Sequence, residues 1–170
     1  MKTSSAPLIV TALFGRQDQG WVEGLRQAHF PEERNQVPAH LTLFHHLPPS
    51  LADELKHRLD GYTRGVRAPK AKVTGLISLG RGVALKVESP ALAAIRSELC
   101  DSFAGLLMPQ DAGSWRPHVT IQNKVVPSIA KLLLAQLGRD FRAREVELAG
   151  LASWWYRGGP WEQHSRHMFA

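Results

Sequence analysis

Ala39-His40-Leu41-Thr42-Leu43 and Pro117-His118-Val119-Thr120-Ile121 are one pattern written twice. Each reads His-apolar-Thr-apolar in a short β-like run. Side chains alternate faces along a strand. His40 and Thr42 therefore share one face, with Leu41 and Leu43 on the other. His118 and Thr120 repeat the arrangement against Val119 and Ile121. A polar His/Thr face on an otherwise apolar strand calls for a purpose, and two such strands in one small protein call for a joint one.

The repeat reaches well beyond the motifs. His40 and His118 lie 78 positions apart, and the same offset pairs Leu47 with Val125, Pro49 with Pro127, Ser50 with Ser128 and Leu51 with Ile129. It also pairs Ala52 with Ala130, Leu55 with Leu133 and Leu59 with Leu137, without a gap. Further on, Val73-Thr74-Gly75-Leu76-Ile77-Ser78 resembles Leu148-Ala149-Gly150-Leu151-Ala152-Ser153. Each half reads strand, helix, His-strand, helix, strand. The expected fold is α/β of the α+β type, a bilobed pseudo-two-fold duplication. Each lobe is a small, mostly antiparallel sheet with flanking helices, and the cleft lies between the lobes. Residues 1–170 are read as a single domain with interleaved lobes. The repeat halves span approximately 7–79 and 82–156, and a C-terminal strand follows at 161–169.

Local signals fill in the elements. The run 7–14 is β-branched and apolar, a buried strand. Residues 15–20 read as a loop. Residues 21–30 carry helical spacing, stopped by Pro31. A helix follows at 51–62, and strands at 70–79 and 83–88 flank the turn Gly80-Arg81-Gly82. Ser89-Pro90 opens the next helix, with Leu92, Ile95, Leu99 and Phe103 toward the core. Residues 108–116 read as a loop, 127–137 as a helix and 146–156 as a strand.

Composition sets outer bounds. Of 170 residues, 44% are hydrophobic and 21% charged, enough for a core. A formal charge of +6 favours a phosphorylated or polyanionic ligand. With Cys100 as the one cysteine there is no internal disulfide and no Cys-based zinc site, and a reducing, cytoplasmic setting fits. Cys100 itself reads as a small buried hydrophobe. The start Met1-Lys2-Thr3 with the apolar run after it faintly resembles a signal peptide, but no small-residue cleavage site follows. No segment approaches a membrane span.

Two imidazoles across a cleft make an acid/base pair, because a histidine pKa near 6.5 lets one ring be neutral and the other charged. Threonine hydroxyls on the same face are short, stiff donors suited to non-bridging phosphate oxygens. Phosphodiester chemistry uses this set fully. Two different oxygens exchange protons while the non-bridging ones need donors.

The motifs His40-Leu41-Thr42-Leu43-Phe44 and His118-Val119-Thr120-Ile121-Gln122, with Arg116-Pro117 before the second, resemble those of the two-histidine (2H) phosphoesterase superfamily, in particular its 2′-5′ RNA ligase-like bacterial branch. The resemblance implies a bilobed α/β fold with one His-x-Thr strand per lobe facing a water-filled cleft. It implies metal-independent hydrolysis of an RNA 2′,3′-cyclic phosphate or 2′-5′ phosphodiester, or reversible 2′-5′ RNA ligation. It makes His40 and His118 the acid/base pair and Thr42 and Thr120 the phosphate binders. No cofactor is implied, and the partner is an RNA end or a small nucleotide cyclic phosphate. No membrane and no obligate protein partner are expected, and the chain reads as a monomer. The alternatives are a non-catalytic RNA- or nucleotide-binding module, and a phosphoesterase for a small nucleotide-derived cyclic phosphate.

Other residues are weaker candidates for substrate contact. Arg116 stands beside the second motif, and Arg matches phosphate geometry. Phe44, on the His40 face by alternation, and Tyr156 could stack a base. Of Trp154 and Trp155, alternation sends at least one into the core. The first motif runs into Phe44-His45-His46 where the family strand ends apolar. Strict alternation points His45 away from His40, so these histidines do not converge on a metal.

Overall fold

The computed structural model describes residues 5–170. The charged start Met1-Lys2-Thr3 lies outside them. The strands are β1 Leu8–Phe14, β2 Leu41–Leu47, β3 Lys70–Ser78, β4 Val83–Glu88, β5 His118–Gln122, β6 Arg144–Trp155 and β7 Glu162–Met168. The helices are α1 Arg16–His29, α2 Ala52–Thr63, α3 Pro90–Ser102, α4 Pro109–Ala112 and α5 Pro127–Arg139. Among the described residues no helix is long and apolar enough to cross a membrane.

All seven strands join one antiparallel sheet in the order β1-β2-β5-β4-β3-β6-β7, which closes on itself because β1 also pairs with β6. The long strand β6 makes the closure. Residues 144–147 pair with β3, whereas residues 148–155 pair with β1. Two four-stranded lobes result, β2-β1-β6-β7 and β5-β4-β3-β6, and each carries one His/Thr strand. The mixed α/β, two-lobed duplication expected from the repeat is the observed fold.

The lobes are not the two halves of the sequence. The third strand of each half crosses over. β3 pairs with β4 of the second half, and β6 pairs with β1 of the first. Where the halves meet, residues pair with their own repeat equivalents. Leu41 faces Val119, and Ala71 faces Val146. A local two-fold axis passing through both contacts sets His40 and His118 on opposite sides of it.

Hydrophobic burial drives the arrangement. Leu41, Leu43, Val119 and Ile121, the non-motif face of both His-strands, are fully buried. Leu92, Leu99 and Phe103 of the third helix's stripe join the same core. Ser89 caps α3 by accepting a hydrogen bond from the Leu92 N–H at 3.3 Å. Gly80, at φ +78°, supplies the left-handed residue that the β3–β4 turn requires.

Three element boundaries differ from sequence expectation. α1 starts at Arg16 instead of Trp21, because Asp18 in its first turn is anchored by the Glu147 N–H at 2.7 Å and Arg144 at 3.0 Å. The 108–116 segment contains the helical turn α4. The second motif strand, which the sequence pattern extends over 117–126, ends at Gln122, and Lys124 then takes φ +68°.

Two arginines lie in the core where apolar residues would continue the helix stripes. Arg26 is 4% exposed and Arg96 6%. Arg26 on α1 donates to the Thr120 carbonyl at 2.9 Å and to Asn35 Oδ1 at 2.8 Å. Arg96 on α3 donates to the Leu43 carbonyl at 3.0 Å and to the Asp111 carbonyl at 2.7 Å. Each half thus reaches across and holds the other half's motif strand by its backbone. Hydrogen bonds from charged donors are worth about 1.5–3 kcal/mol each.

Candidate active site

The two-fold arrangement brings His40, Thr42, His118 and Thr120 to one cavity of about 130 Å³, whose wall is completed by Ile9, His45 and Trp161. At about 30 Å³ per water, that space holds roughly four waters, or one tetrahedral anion with an attacking water. Both rings are aimed by the same device. His40 Nδ1 lies 2.8 Å from the Pro38 carbonyl, and His118 Nδ1 lies 2.7 Å from the Arg116 carbonyl. A carbonyl can only accept, so each Nδ1 carries the hydrogen and each Nε2 is left for a ligand.

The two histidines differ in surroundings. Trp161, just ahead of β7, stands edge-on to His40 with ring centroids 4.6 Å apart. β7 has no counterpart in the repeat, so His118 has no equivalent cover. Burial pushes the His40 pKa down to about 4; the Pro38 carbonyl opposes this, while Arg26, His45 and His118 add to it as neighbouring positive charges. The His40 ring is therefore neutral at pH 7. Its folded pKa lies below the unfolded value near 6.5, so from pH 6.5 down to about 4 the unfolded chain takes up a proton that the native ring refuses. His40 thus makes the fold less stable as pH falls through that window. In a ¹⁵N-histidine NMR titration, His40 is expected to titrate near pH 4, and Trp161→Ala to move its midpoint toward 6.5. A wild-type midpoint at 6.5 would refute the burial argument.

His45 is the departure with chemical consequences. The β1–β2 ladder pairs Thr11 with Thr42, Val10 with Phe44, and Leu8 with Leu47. Leu43 is thus one residue too many between the first two pairs, and His45-His46 together oppose Ile9. These β-bulges break strict alternation. Phe44 turns into the core, fully buried beneath the Arg96 guanidinium at 4.8 Å. His45 comes round to the His40 side and lines the cavity.

The bulge is held by Asp111, in a segment whose sequence reads as a loop. Its carboxylate is 1% exposed. It accepts from the His45 N–H at 2.9 and 3.0 Å, from the His46 N–H at 2.9 Å, and faces His45 Nδ1 at 3.1 Å. Burial alone would raise the Asp111 carboxyl, but the His45 ring and the two backbone donors outweigh it and hold it below the usual carboxylate range.

The remaining candidates are not brought together. Phe44 cannot stack a ligand, because the bulge has put it in the core. Tyr156 lies past the end of β6, 44% exposed, outside the cavity wall. The Arg116 side chain is exposed; it is the Arg116 carbonyl that serves the site, through His118. Trp155 packs on the core, whereas Trp154 lines a hollow of about 370 Å³ that shares His40 and Trp161 with the cavity. Gln19, Gln36, Pro38 and Arg166 also line this hollow. Cys100 packs on the core, and burial raises its thiol pKa. Among the described residues no group of three or more His, Cys, Asp or Glu side chains could hold a metal ion.

Comparison with known proteins bears on the family and the fold. The model of the 2′-5′ RNA ligase superfamily matches residues 14–160. TT0787 of Thermus thermophilus superposes with a TM-score of 0.65 at 16% identity, over 96% of this chain and 97% of that one. E. coli LigT complexed with 3′-AMP gives 0.60 at 16% identity, over 98% and 99%. A crystal structure described as a phosphoesterase gives 0.55 at 17% identity, over 97% and 99%. At these identities the likeness is one of fold. No curated protein matches the chain by sequence.

Proposed function

The chain belongs to the 2′-5′ RNA ligase superfamily of two-histidine phosphoesterases, and on that premise we propose that it hydrolyses a ribonucleotide 2′,3′-cyclic phosphate or a 2′-5′ phosphodiester without a metal, in one site shared by both halves of the chain. The observation that carries this reading is the convergence of two His/Thr pairs, from two halves of the chain, on a single phosphate-sized cavity.

The roles follow from the rings. Neutral His40 accepts a proton at Nε2 from an attacking water as the water oxygen bonds to phosphorus. His118 acts as the acid and gives a proton from Nε2 to the ribose oxygen as the P–O bond breaks. Thr42 and Thr120 donate to the non-bridging oxygens, where negative charge grows. The products are a phosphomonoester and a free hydroxyl. Proton transfer from His40 back to His118 through solvent resets the pair. With a 5′-hydroxyl replacing water, the same two transfers make a 2′-5′ linkage, which is the ligase direction. The ring N–H and hydroxyl donors around the cavity favour an anion in either case.

The hollow beside His40 extends the reading to the rest of the substrate. Trp154 and Trp161, with centroids 6.3 Å apart, form an apolar wall of nucleoside size next to the phosphate position. Base stacking on such rings is worth about 1–3 kcal/mol. The test is turnover of nucleoside 2′,3′-cyclic phosphates and 2′-5′-linked dinucleotides in EDTA. Turnover of either supports the reading. RNA binding that is salt-dependent, with no turnover, would instead make the chain a binding module.

A further inference from the structure

We propose that His45 is a third phosphate-binding side chain of this site, with Asp111 as its positioning residue. The inference rests on the cleft's being a phosphodiester site, as argued above. His45 shares one cavity wall with His40, Thr42, His118 and Thr120, yet lies outside both His-x-Thr motifs. Its ring is 40% exposed, while the carboxylate behind it is 1% exposed. A carboxylate at 3.1 Å from Nδ1 takes the hydrogen on that nitrogen and fixes the ring plane. Nε2 is left toward the cavity, as in His40 and His118.

The partner makes the difference. His40 and His118 each lean on a neutral carbonyl, whereas His45 leans on an ionised, buried carboxylate. A charged acceptor makes a stronger hydrogen bond than a carbonyl does and holds the ring plane more firmly. With a phosphate in the cavity, His45 then stands between two anions with an N–H for each, Nδ1–H to Asp111 and Nε2–H to a non-bridging oxygen. The charged group acting on it is Asp111 behind, with the neutral His40 ring beside it, and the phosphate supplies the second charge. His45 forms no bond to phosphorus and transfers no proton in the reaction. Its effect is to hold a doubly charged phosphomonoester, the hydrolysis product, more tightly than a singly charged diester.

A purely structural role is the competing account, because Asp111 also satisfies the His45 and His46 N–H groups at the bulge. That role moves stability and leaves phosphate affinity in the folded protein unchanged. Calorimetric titration with inorganic phosphate separates the two. His45→Leu is expected to weaken phosphate binding by roughly 10–100-fold, the equivalent of one hydrogen bond to a charged group. His45→Gln, which keeps a neutral donor, is expected to lose less. Asp111→Asn should weaken phosphate binding in wild type but add nothing in the His45→Leu background, since it acts through the ring. Phosphate affinity within twofold of wild type in His45→Leu, or in His45→Gln if the leucine variant does not fold, would overturn the proposal. So would an Asp111→Asn loss of equal size in both backgrounds. Because inorganic phosphate is the probe, the outcome is independent of turnover. A wild type that binds phosphate but hydrolyses no ester would defeat the hydrolase reading alone, and one that binds no phosphate would defeat both.

Discussion

Replacing His40 or His118 with alanine is expected to lower turnover of a nucleoside 2′,3′-cyclic phosphate by about 10²–10⁴-fold each, the usual worth of one positioned proton-transfer group. Both losses should appear in kcat, because each ring matters most when an oxygen is gaining or losing its proton. The double variant should not lose the product of the two factors. Residues that act as a unit are not additive, and removing one partner already strands the other. The backbone on which the rings stand keeps its sheet pairs and arginine braces, so both variants should fold. Steady-state kinetics in EDTA on the two single variants and the double one checks this. Turnover within threefold of wild type in either single variant contradicts a paired mechanism.

Phe44→Ala is the second large effect, and it falls on stability. Phe44 is fully buried, with Arg96 over its ring. Truncating a core phenylalanine costs about 3–5 kcal/mol, because the cavity left behind refills only in part. Against a typical total of about 5–15 kcal/mol, that is a large share. At this chain length it amounts to a fall in Tm of roughly 6–20 °C. Denaturant unfolding measures it directly. A loss below about 1 kcal/mol, with KM raised tenfold, would put Phe44 back among ligand-stacking residues.

Phe44 also marks where sequence reasoning stops. The doubled motif, its offset and the repeat beyond it were legible, and they located the four side chains that share the cavity. Alternation correctly put Leu41, Leu43, Val119 and Ile121 inward. It failed at residues 44 and 45 because a bulge inserts a residue without leaving a composition signal and turns the next side chains to the other face, until the second bulge returns Leu47 to the core. Phe44 and His45 were misassigned together for that one reason. Asp111 was illegible for a related cause. Its partners are backbone N–H groups freed by the bulge, and those exist only once the bulge does.

Arg26 and Arg96 did leave a signal. Arg96 sits four residues after Leu92 and three before Leu99, inside an apolar stripe where a charge needs a buried partner. The partners themselves, carbonyls of the opposite motif strand, depend on the exchange of β3 and β6 between halves. A hydrophobic pattern specifies a strand but not its neighbour, so a repeat of this kind is equally consistent with lobes that keep their own third strand. The aromatic cover on His40 comes from Trp161, at the entrance to the one strand that the repeat lacks, and so the repeat could not distinguish the two histidines.

The central claim is that two histidines from two halves of the chain grip one phosphate. Titrating ¹⁵N-histidine-labelled protein with 3′-AMP and following the ring nitrogens by NMR tests it most directly. The Nε2 resonances of His40 and His118 should move together, along a single isotherm, to one saturation at one ligand per chain. Movement of only one of them, or of the two with separate midpoints, would contradict a shared site.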